Sequence, residues 1–304
     1  MSNFKVNIVF FGNGDRGVVC LKQLLHSRKS VSLVVAQKSD SSVAELARAN
    51  NIKVESPAKP NSIEFAKKLE SLNANLFILC GYNKILRSQI LDLPKYKVIN
   101  CHGGKLPEYR GVAPINWQII NGEEILGFSI LYADEGIDTG AILKEHRFTI
   151  EINTNANDIV KQSIEWFPHQ LESIVSSLEE KGRLESKEQD ESAAVHYTRR
   201  YPEDSSIDWK HMIDLEVHNL VRALVDPYPN AFGYIDGDKI GIIETKVLDE
   251  TYKGVPGTVV LKRNGGVIVN CKNRAILILK LRVDGQECLA SDYLKIGKRF
   301  KYIG

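Results

Sequence analysis

The sequence predicts an α/β fold in which a doubly wound parallel sheet is followed by a small, β-rich second domain. Over residues 6–181, short apolar runs alternate with amphipathic segments of helical period, which is the rhythm of βαβ units. From residue 231 onward, short strand-like segments follow one another between Gly and Asn turns, as in small antiparallel barrels. A length of 304 residues fits two domains better than one.

The first domain begins with Val6–Phe11, a compact apolar run typical of a strand buried on both faces. The same reasoning predicts further strands at residues 31–36, 53–54, 76–80, 96–100, 128–132 and 142–152. Helical patterns lie at residues 18–25, 41–50, 62–72, 113–121 and 157–181, the last interrupted at Pro168 and ended by Gly182. Elements that alternate in this way pack as a parallel sheet with helices on its faces.

The second half of the chain changes character after about Ser186. Residues 187–192 are polar and predict a linker, and Glu216–Val225 predicts a helix that the segment Asp226–Asn230 breaks with two prolines. Strands are expected at residues 239–247, 257–262, 266–270 and 275–283. Short strands of this kind are typical of an antiparallel or barrel-like domain.

The composition indicates an ordinary globular protein, with 43% hydrophobic and 26% charged residues. The net charge of +2 is too small to indicate a nucleic acid or an acidic membrane surface as a partner. No apolar run is long enough for a signal peptide or a membrane span, so we expect a cytoplasmic protein.

Five cysteines without a C-x-x-C pair predict buried, reduced thiols: Cys20, Cys80, Cys101, Cys271 and Cys288.

A glycine-rich turn, GNGDRG at residues 12–17, joins the first strand to the first helix. It matches G-x-G-x-x-G, the dinucleotide fingerprint, and would imply a nicotinamide-dependent oxidoreductase. That fingerprint also needs an acidic residue at the tip of the second strand, which here ends in Gln37 and Lys38, with Asp40 nearby. A tight turn and close packing explain the glycines better, and the NAD(P) enzyme is kept as a distant alternative.

Polar side chains suited to catalysis lie at the end of the predicted strand 96–100. Side chains alternate along a strand, so Asn100 and His102 face one side and Cys101 faces the other. An imidazole accepts protons near neutral pH, an amide stabilises a developing oxyanion, and a carboxylate such as Asp138 orients the imidazole. The sequence shows no Ser or Cys nucleophile associated with these three residues. It also contains neither of the metal-binding patterns H-x-H and H-E-x-x-H. The set therefore predicts direct transfer to an incoming nucleophile, with no metal and no covalent intermediate.

Three separated motifs carry a family resemblance: NCHGG at residues 100–104, LPEYRGVAP at 106–114 and DEGIDTG at 134–140. In this order and spacing they resemble the folate-dependent formyltransferases, which include methionyl-tRNA, glycinamide ribonucleotide and nucleotide-sugar formyltransferases. The resemblance implies a Rossmann-like formyltransferase domain, which we place at residues 1–186, and a C-terminal OB-like barrel at 208–304. Between them, residues 187–207 would form a linker with a substrate-binding loop.

The resemblance also implies the roles of the site residues. Asn100, His102 and Asp138 would be the catalytic trio, and 10-formyltetrahydrofolate would be the formyl donor. A substrate amine would attack the formyl carbon while Asn100 stabilises the oxyanion, His102 takes the amine proton and Asp138 holds His102. Folate contacts are expected in two loops, at Ile85, Leu86, Asp134, Gly136 and Asp138.

The acceptor amine has two candidates, a nucleotide-linked amino sugar and, as the alternative, methionyl-tRNA. The tRNA enzyme carries a long basic insertion after its second strand, whereas residues 37–42 are short here. The run RRYPEDS at residues 199–205 resembles the sugar-nucleotide region of UDP-aminoarabinose N-formyltransferase. We therefore predict a sugar N-formyltransferase of surface polysaccharide (lipopolysaccharide or O-antigen) synthesis. It would bind folate and a nucleotide-linked amino sugar, but no nucleic acid and no membrane, and a homodimer is kept open.

Ten residues are predicted to contact that substrate: Lys84, Gly103, Gly104, Tyr109, Arg110, Arg199, Arg200, Tyr201, Asp204 and Ser205. Arginine suits a diphosphate, and aromatic rings stack on bases. For Tyr109 and Arg110 a fold-supporting ion pair is an equal alternative, and Lys84 is as readily a solvated lysine. Without the resemblance, the Arg pair at 199–200 would be interpreted as a solvated loop.

Overall fold

The structure is a computed structural model that describes residues 5–301. By internal contacts the described chain separates into two compact units. The first holds the residues up to Pro114 together with Gly127–Phe148 and Val160–Tyr197. The second holds Ile115–Leu126, Thr149–Ile159 and the residues from Thr198 onward. The domain boundaries predicted at residues 186 and 207 stay a prediction.

Strands and helices alternate from the start of the chain, as the apolar periodicity predicts. The strands, in chain order, are β1 (Asn7–Gly12), β2 (Ser30–Ala36), β3 (Lys53–Glu55), β4 (Leu76–Cys80), β5 (Val98–His102), β6 (Arg110–Gly111), β7 (Ile125–Tyr132), β8 (Ile142–Thr149) and β9 (His196–Tyr197). The helices are α1 (Gly14–His26), α2 (Ser42–Ala49), α3 (Ile63–Glu70), α4 (Ser88–Leu91), α5 (Pro114–Ile120) and α6 (Ala156–Lys181). Each predicted helix and strand of this half has an observed counterpart.

Within the described residues, seven strands form one sheet in the order β3-β2-β1-β4-β5-β7-β8. The pairs that join β3 to β5 are all parallel. The predicted α/β class is confirmed, with one correction: β7 runs antiparallel to β5, so the sheet is mixed. Parallel neighbours need a long crossover connection, whereas β7, which lies between β5 and the edge strand β8, runs in the opposite direction to β5.

The sheet is covered by apolar side chains on both faces, as a parallel sheet must be. On one face, Val9 and Val35 of the strands pack with Phe65 and Leu69 of α3 and with Ile90 of α4. All five are buried. Burial of this kind stabilises the sheet by about 25 cal/mol per Å² of apolar surface.

Helix α6 corrects the predicted interruption at Pro168, because it is continuous from Ala156 to Lys181. Proline removes one helical hydrogen bond, which favours a break. Here Phe167, Leu171 and Leu178 are buried along the helix, so their packing on both sides of the proline offsets that loss. The helix ends where Gly182 adopts φ +69°, and the Gly182 amide donates to the Leu178 carbonyl at 2.8 Å.

The second unit contains an antiparallel sheet in the order β10-β11-β14-β13-β12, with β15 paired to β14. Its elements are α7 (Asp214–Ala223), β10 (Ala231–Ile235), β11 (Asp238–Val247), β12 (Val259–Arg263), β13 (Gly266–Asn270), β14 (Ala275–Val283), β15 (Gln286–Leu289) and α8 (Ala290–Tyr293). The segment 299–301 bridges both ends of this order, with Lys301 opposite Tyr234 of β10 and Arg299 opposite Thr258 before β12. These bridges connect the segment 299–301 to the two ends of the sheet, which is the kind of closure expected of a barrel.

The glycine-rich turn at residues 12–17 is explained by geometry. Gly14 has φ +62°, which glycine adopts without cost, and α1 starts there. A Cβ on Gly17 would lie 3.2 Å from the Cys80 carbonyl oxygen and 3.1 Å from Val43. The glycines therefore allow the sharp turn and the close approach of α1 to β4.

Candidate active site

The carboxylate of Asp138 joins the three predicted catalytic side chains. Asn100 Nδ2 donates to Asp138 Oδ1 at 3.1 Å, and His102 Nδ1 lies 3.3 Å from Asp138 Oδ2. The His102 side chain is 5% exposed and that of Asp138 is 11% exposed. Strand β5 ends at His102, so its alternation brings Asn100 and His102 to the same carboxylate. Little solvent reaches these contacts, so they are weakly screened.

Cys101 lies between Asn100 and His102 in strand β5, and its side chain lies on the opposite side of the strand. It stands opposite Cys80 in the register of β4 and β5, and both thiols are buried. Burial, and then the hydrogen bond with Cys80, raises the pKa of Cys101 well above its usual value. A thiol held protonated on the far side of the strand is no partner for His102 as a nucleophile. All five cysteines are unpaired, as predicted, although Cys288 is only partly buried.

The loop that carries Asp138 is stabilised by hydrogen bonds between its own residues. Asp134 Oδ1 accepts from the Gly136 amide at 3.0 Å and from the Thr139 hydroxyl at 2.5 Å. A Cβ on Gly140 would lie 1.9 Å from the Tyr132 carbonyl oxygen, so only glycine fits there. Asp138 itself has φ +56°, a conformation that non-glycine residues adopt rarely. The contacts of Asp134 are internal to the loop, and its predicted contact with folate remains a prediction.

A segment after β5, residues 103–112, covers the imidazole. His102 Nε2 lies 2.6 Å from the Tyr109 carbonyl oxygen, and a carbonyl oxygen only accepts, so Nε2 carries the hydrogen in this arrangement. Gly104 fits tightly, because a Cβ there would lie 2.8 Å from both His102 Nε2 and the Tyr109 carbonyl oxygen. The Ser129 hydroxyl fixes the start of the segment, donating to the Gly104 carbonyl at 2.9 Å and accepting from the Leu106 amide at 3.2 Å.

Tyr109 and Arg110 hold this segment in place. The Tyr109 ring is 2% exposed and stacks on Tyr197, with 4.7 Å between the ring centroids. The Arg110 guanidinium is buried and donates to Gln189 and Glu191, at 2.9 Å and 2.5 Å for the shortest contacts. These contacts favour the fold-supporting ion pair over the predicted substrate contact for Arg110. The Gly111 amide then donates to Asp138 Oδ2 at 2.9 Å.

Sequence reasoning missed Gln189, which it placed in a polar linker. Gln189 Nε2 donates to the carbonyl oxygens of Asp138 and Gly140, at 2.8 Å and 2.7 Å. No local pattern marks a glutamine in a polar stretch as a site residue, and 51 residues separate it from Asp138. Only the folded chain shows this contact.

The loop after β4, predicted to hold folate, has a fixed backbone. Asn61 donates to the Ile85 carbonyl at 2.8 Å and accepts from the Arg87 amide at 2.8 Å. The Ile85 side chain is 66% exposed, whereas Leu86 is buried. The ammonium of Lys84, predicted to meet a phosphate, donates to the Pro57 carbonyl at 2.7 Å. The Lys84 contact with substrate stays a prediction, but its charge already has an internal acceptor.

The run RRYPEDS belongs to the second unit, whereas the trio belongs to the first. The Arg200 guanidinium lies over the Trp117 ring, 5.1 Å from its centroid, and donates to the Asp204 carbonyl at 2.6 Å. The Asp204 carboxylate accepts from the Tyr201 amide at 2.6 Å and caps a short 3₁₀ helix, Pro202–Ser205. The run therefore has a local structural role, and desolvation lowers the pKa of Arg200. Arg199 is exposed, and its predicted contact with substrate, like those of Gly103 and Ser205, is untested.

Together, these contacts place a proton acceptor, an amide donor and a carboxylate around one point, without a nucleophile. Among residues 5–301, no group of three His, Cys, Asp or Glu side chains is placed to hold a metal ion. The same residues include no helix long and apolar enough to cross a membrane. The arrangement suits proton transfer beside a developing oxyanion.

Comparison with known proteins decides the family. Residues 5–175 match the family model described as Formyl transferase. Residues 200–297 match the model described as Formyl transferase, C-terminal domain. The chain belongs to the formyl transferase family. The formyl donor is accordingly 10-formyltetrahydrofolate, as the resemblance of the three motifs implied.

Relatives similar along the whole chain are methionyl-tRNA formyltransferases. That of Caldanaerobacter subterraneus is 34% identical over 291 residues, covering 92% of this chain and 93% of the relative. Those of Acetivibrio thermocellus and Clostridioides difficile are each 32% identical, covering 92% and 95% of this chain and 92% and 96% of the relative. These relatives overturn the prediction of a sugar N-formyltransferase. They also weigh against the prediction that no nucleic acid is bound.

Solved structures show the same fold at lower identity. An N-formyltransferase from Helicobacter canadensis, in complex with folinic acid and dTDP-3-aminofucose, has a TM-score of 0.68 at 21% identity, covering 90% of this chain and 99% of that chain. HypX from Aquifex aeolicus in complex with tetrahydrofolic acid has a TM-score of 0.65 at 18% identity, covering 97% of this chain and 50% of its own. At these identities the likeness supports the fold, and it does not identify the acceptor.

Proposed function

We propose that this formyl transferase formylates the amino group of methionyl-tRNA. The observation that carries the proposal is the similarity to methionyl-tRNA formyltransferases over more than nine-tenths of both chains. The sequence features weighed against this acceptor are weak. The net charge of +2 does not show how the charges are distributed over the surface. Within the run RRYPEDS, Arg200 has a structural contact, because its guanidinium lies over the Trp117 ring.

In the proposed reaction, the amine attacks the formyl carbon and the carbonyl oxygen gains negative charge. In this proposal, the Asn100 amide donates one hydrogen to Asp138 Oδ1 and its second hydrogen to that oxyanion. His102 takes the proton from the attacking nitrogen, and the Asp138 carboxylate beside Nδ1 stabilises the imidazolium that forms. When the tetrahedral intermediate collapses, the bond between the formyl carbon and the folate nitrogen breaks, and the imidazolium gives its proton to that nitrogen, so that tetrahydrofolate leaves. Nε2 now faces the Tyr109 carbonyl and carries the hydrogen. Before Nε2 can take a proton from the amine, that carbonyl must turn away and the hydrogen must lie on Nδ1, beside Asp138 Oδ2.

For the folate, the loop after β4 offers features that fit a flat heterocycle. The Ile85 side chain presents apolar surface to solvent, while Asn61 holds the backbone on both sides of Leu86. The Tyr82 hydroxyl is buried and without a hydrogen-bond partner among the described residues, so the loop has an unused polar group. We propose that this loop and the one at 134–138 bind the donor, which supplies the activated formyl group when bound.

The test is direct formylation. Purified protein is incubated with 10-formyltetrahydrofolate and methionyl-tRNA, and the aminoacyl end is analysed by mass spectrometry for the gain of one formyl group. Free methionine and uncharged tRNA serve as controls and should not be formylated. Methionyl-tRNA that stays unformylated under conditions where the protein binds folate would refute the proposed acceptor.

The trio is tested in the same assay with His102→Gln, which keeps a polar side chain but removes the base. Turnover should fall by about 10²- to 10⁴-fold, the range expected for loss of general base catalysis. The thermal melting profile should stay close to that of the wild type. Turnover within threefold of the wild type would remove His102 from the mechanism without bearing on the acceptor.

A further inference from the structure

We propose that Gln189 is a positioning residue for Asp138, and that Arg110 fixes the orientation of its amide. Gln189 lies outside the three sequence motifs at residues 100–104, 106–114 and 134–140. The inference rests on the proposed function in one respect, namely that Asp138 belongs to the catalytic trio. Gln189 acts through Asp138 and does not itself reach the reacting atoms.

The Gln189 amide nitrogen holds the loop that presents the carboxylate. Its two hydrogens match two acceptors, the Asp138 carbonyl at 2.8 Å and the Gly140 carbonyl at 2.7 Å. These carbonyls lie on either side of Thr139, directly after the residue that carries the catalytic carboxylate. A single planar amide therefore fixes the backbone on both sides of Thr139.

Arg110 leaves the Gln189 amide only one orientation. Arg110 Nε and Nη2 lie 3.1 Å and 2.9 Å from Gln189 Oε1, and a guanidinium can only donate. If the amide were turned over, its nitrogen would face the arginine donors and its oxygen would face two carbonyl oxygens. Glu191 balances the buried charge, since its carboxylate takes both Nη1 and Nη2, at 3.0 Å and 2.5 Å.

The Asp138 backbone needs such support. Its φ of +56° lies in the left-handed region, which costs a non-glycine residue free energy, although less for Asp than for most. From that position the carboxylate meets Asn100 Nδ2, His102 Nδ1 and the Gly111 amide. A small rotation of the loop would displace all three contacts together.

The contacts form a closed ring. Gln189 holds the Asp138 backbone, the Asp138 carboxylate accepts from Gly111, and the neighbouring Arg110 donates to Gln189. The segment that covers His102 and the loop that carries Asp138 are thus joined through Gln189 as well as by the direct contact between Gly111 and Asp138. This explains why a glutamine in a polar stretch matters to the geometry of the trio.

The decisive variant is Gln189→Glu. It keeps the volume and the acceptor for Arg110, but it replaces the donor nitrogen with an oxygen that faces two carbonyl oxygens. We expect kcat for formylation to fall by tenfold or more, with KM for methionyl-tRNA and folate within twofold of the wild type. The control is Glu188→Gln, the opposite exchange at the exposed neighbouring position, which should leave both constants unchanged.

A second measurement does not depend on the acceptor. The Gly111 amide donates to Asp138 Oδ2, so its hydrogen exchange should speed up at least fivefold in Gln189→Glu and stay unchanged in Glu188→Gln. Faster exchange in a protein that does not formylate methionyl-tRNA would support the positioning role and refute only the acceptor. Unchanged exchange, or a kcat equal to the wild type in an active protein, would overturn the role of Gln189.

Discussion

Replacing Gly104 by alanine should disturb catalysis more than folding, because the added Cβ meets the imidazole itself. Built on the backbone, it lies 2.8 Å from His102 Nε2, 2.8 Å from the Tyr109 carbonyl oxygen and 2.7 Å from Pro114. Each distance falls short of ordinary contact by roughly 0.6 Å, so the imidazole or the covering segment must shift by that much. Overpacking of this size destabilises a protein by about 1–3 kcal/mol.

The catalytic cost follows from the displacement. A shift of about 1 Å in a reacting group costs on the order of 10²-fold in rate, so a shift of about half that size should lower kcat by roughly tenfold. Initial rates of formyl-methionyl-tRNA formation give kcat, and thermal denaturation gives the loss of stability. The matched control is Gly233→Ala in the second unit, where a Cβ would lie 2.9 Å from Phe300 and 3.0 Å from Trp209.

Gly233→Ala should lose comparable stability and keep its kcat. If Gly104→Ala also keeps its kcat while its stability falls, the imidazole tolerates displacement and the reasoning about its position is wrong. If neither property changes, the packing around Gly104 is looser than the distances indicate.

Three further predictions concern the trio, a buried histidine and the Arg-rich run. Asp138→Asn should lower kcat by about 10²-fold or more, because the imidazolium loses its carboxylate. Burial lowers the pKa of His218 below its ordinary 6.5, and the neutral ring hydrogen-bonds Thr245 at 2.9 Å, so stability should decline as pH falls below about 6.5. His218→Gln should flatten that decline in denaturation profiles measured from pH 5 to 7. Arg200→Ala removes the contact with Trp117 and should lower stability by about 0.5–1 kcal/mol.

Each of these predictions has its own control. A fully folded Asp138→Asn with wild-type turnover would refute the role of the carboxylate. A pH profile as steep in His218→Gln as in the wild type would assign the titration to another group. Arg199→Ala, at the exposed neighbour of Arg200, should change stability by no more than a few tenths of a kcal/mol, and an equal loss in both variants would contradict the packing argument.

Local sequence patterns predicted those secondary-structure elements and side-chain directions that depend mainly on neighbouring residues in the chain. The apolar run at β1 and the strand β4 were placed within one residue, because a strand buried on both faces leaves an unbroken apolar signature. Strand alternation placed Asn100 and His102 on the same side, and both contact Asp138. Pro168 misled the helix prediction, since packing at residues distant in sequence outweighs one lost hydrogen bond.

Two features were not predicted from the sequence: a contact between residues distant in the chain, and the identity of the acceptor substrate. Gln189 meets Asp138 across 51 residues, and nothing in its neighbours in sequence signals that contact. The acceptor was predicted wrongly because the run at residues 199–205 was interpreted as a sugar-nucleotide site, whereas methionyl-tRNA formyltransferases are similar over more than nine-tenths of the chain. Arg200 of that run also has a structural role, since it packs on Trp117 and donates to the Asp204 carbonyl. A charged pair in a turn-rich segment fits both roles, and only its contacts distinguish them.

We propose that the Asn100, His102 and Asp138 trio moves a formyl group from 10-formyltetrahydrofolate to methionyl-tRNA. This proposal is tested most directly by quantifying tetrahydrofolate and formyl-methionyl-tRNA in the same reaction, for the wild type and for His102→Gln. We expect equal amounts of the two products from the wild type and almost none of either from the variant. Tetrahydrofolate released without formylated tRNA, or equal yields from both proteins, would contradict it.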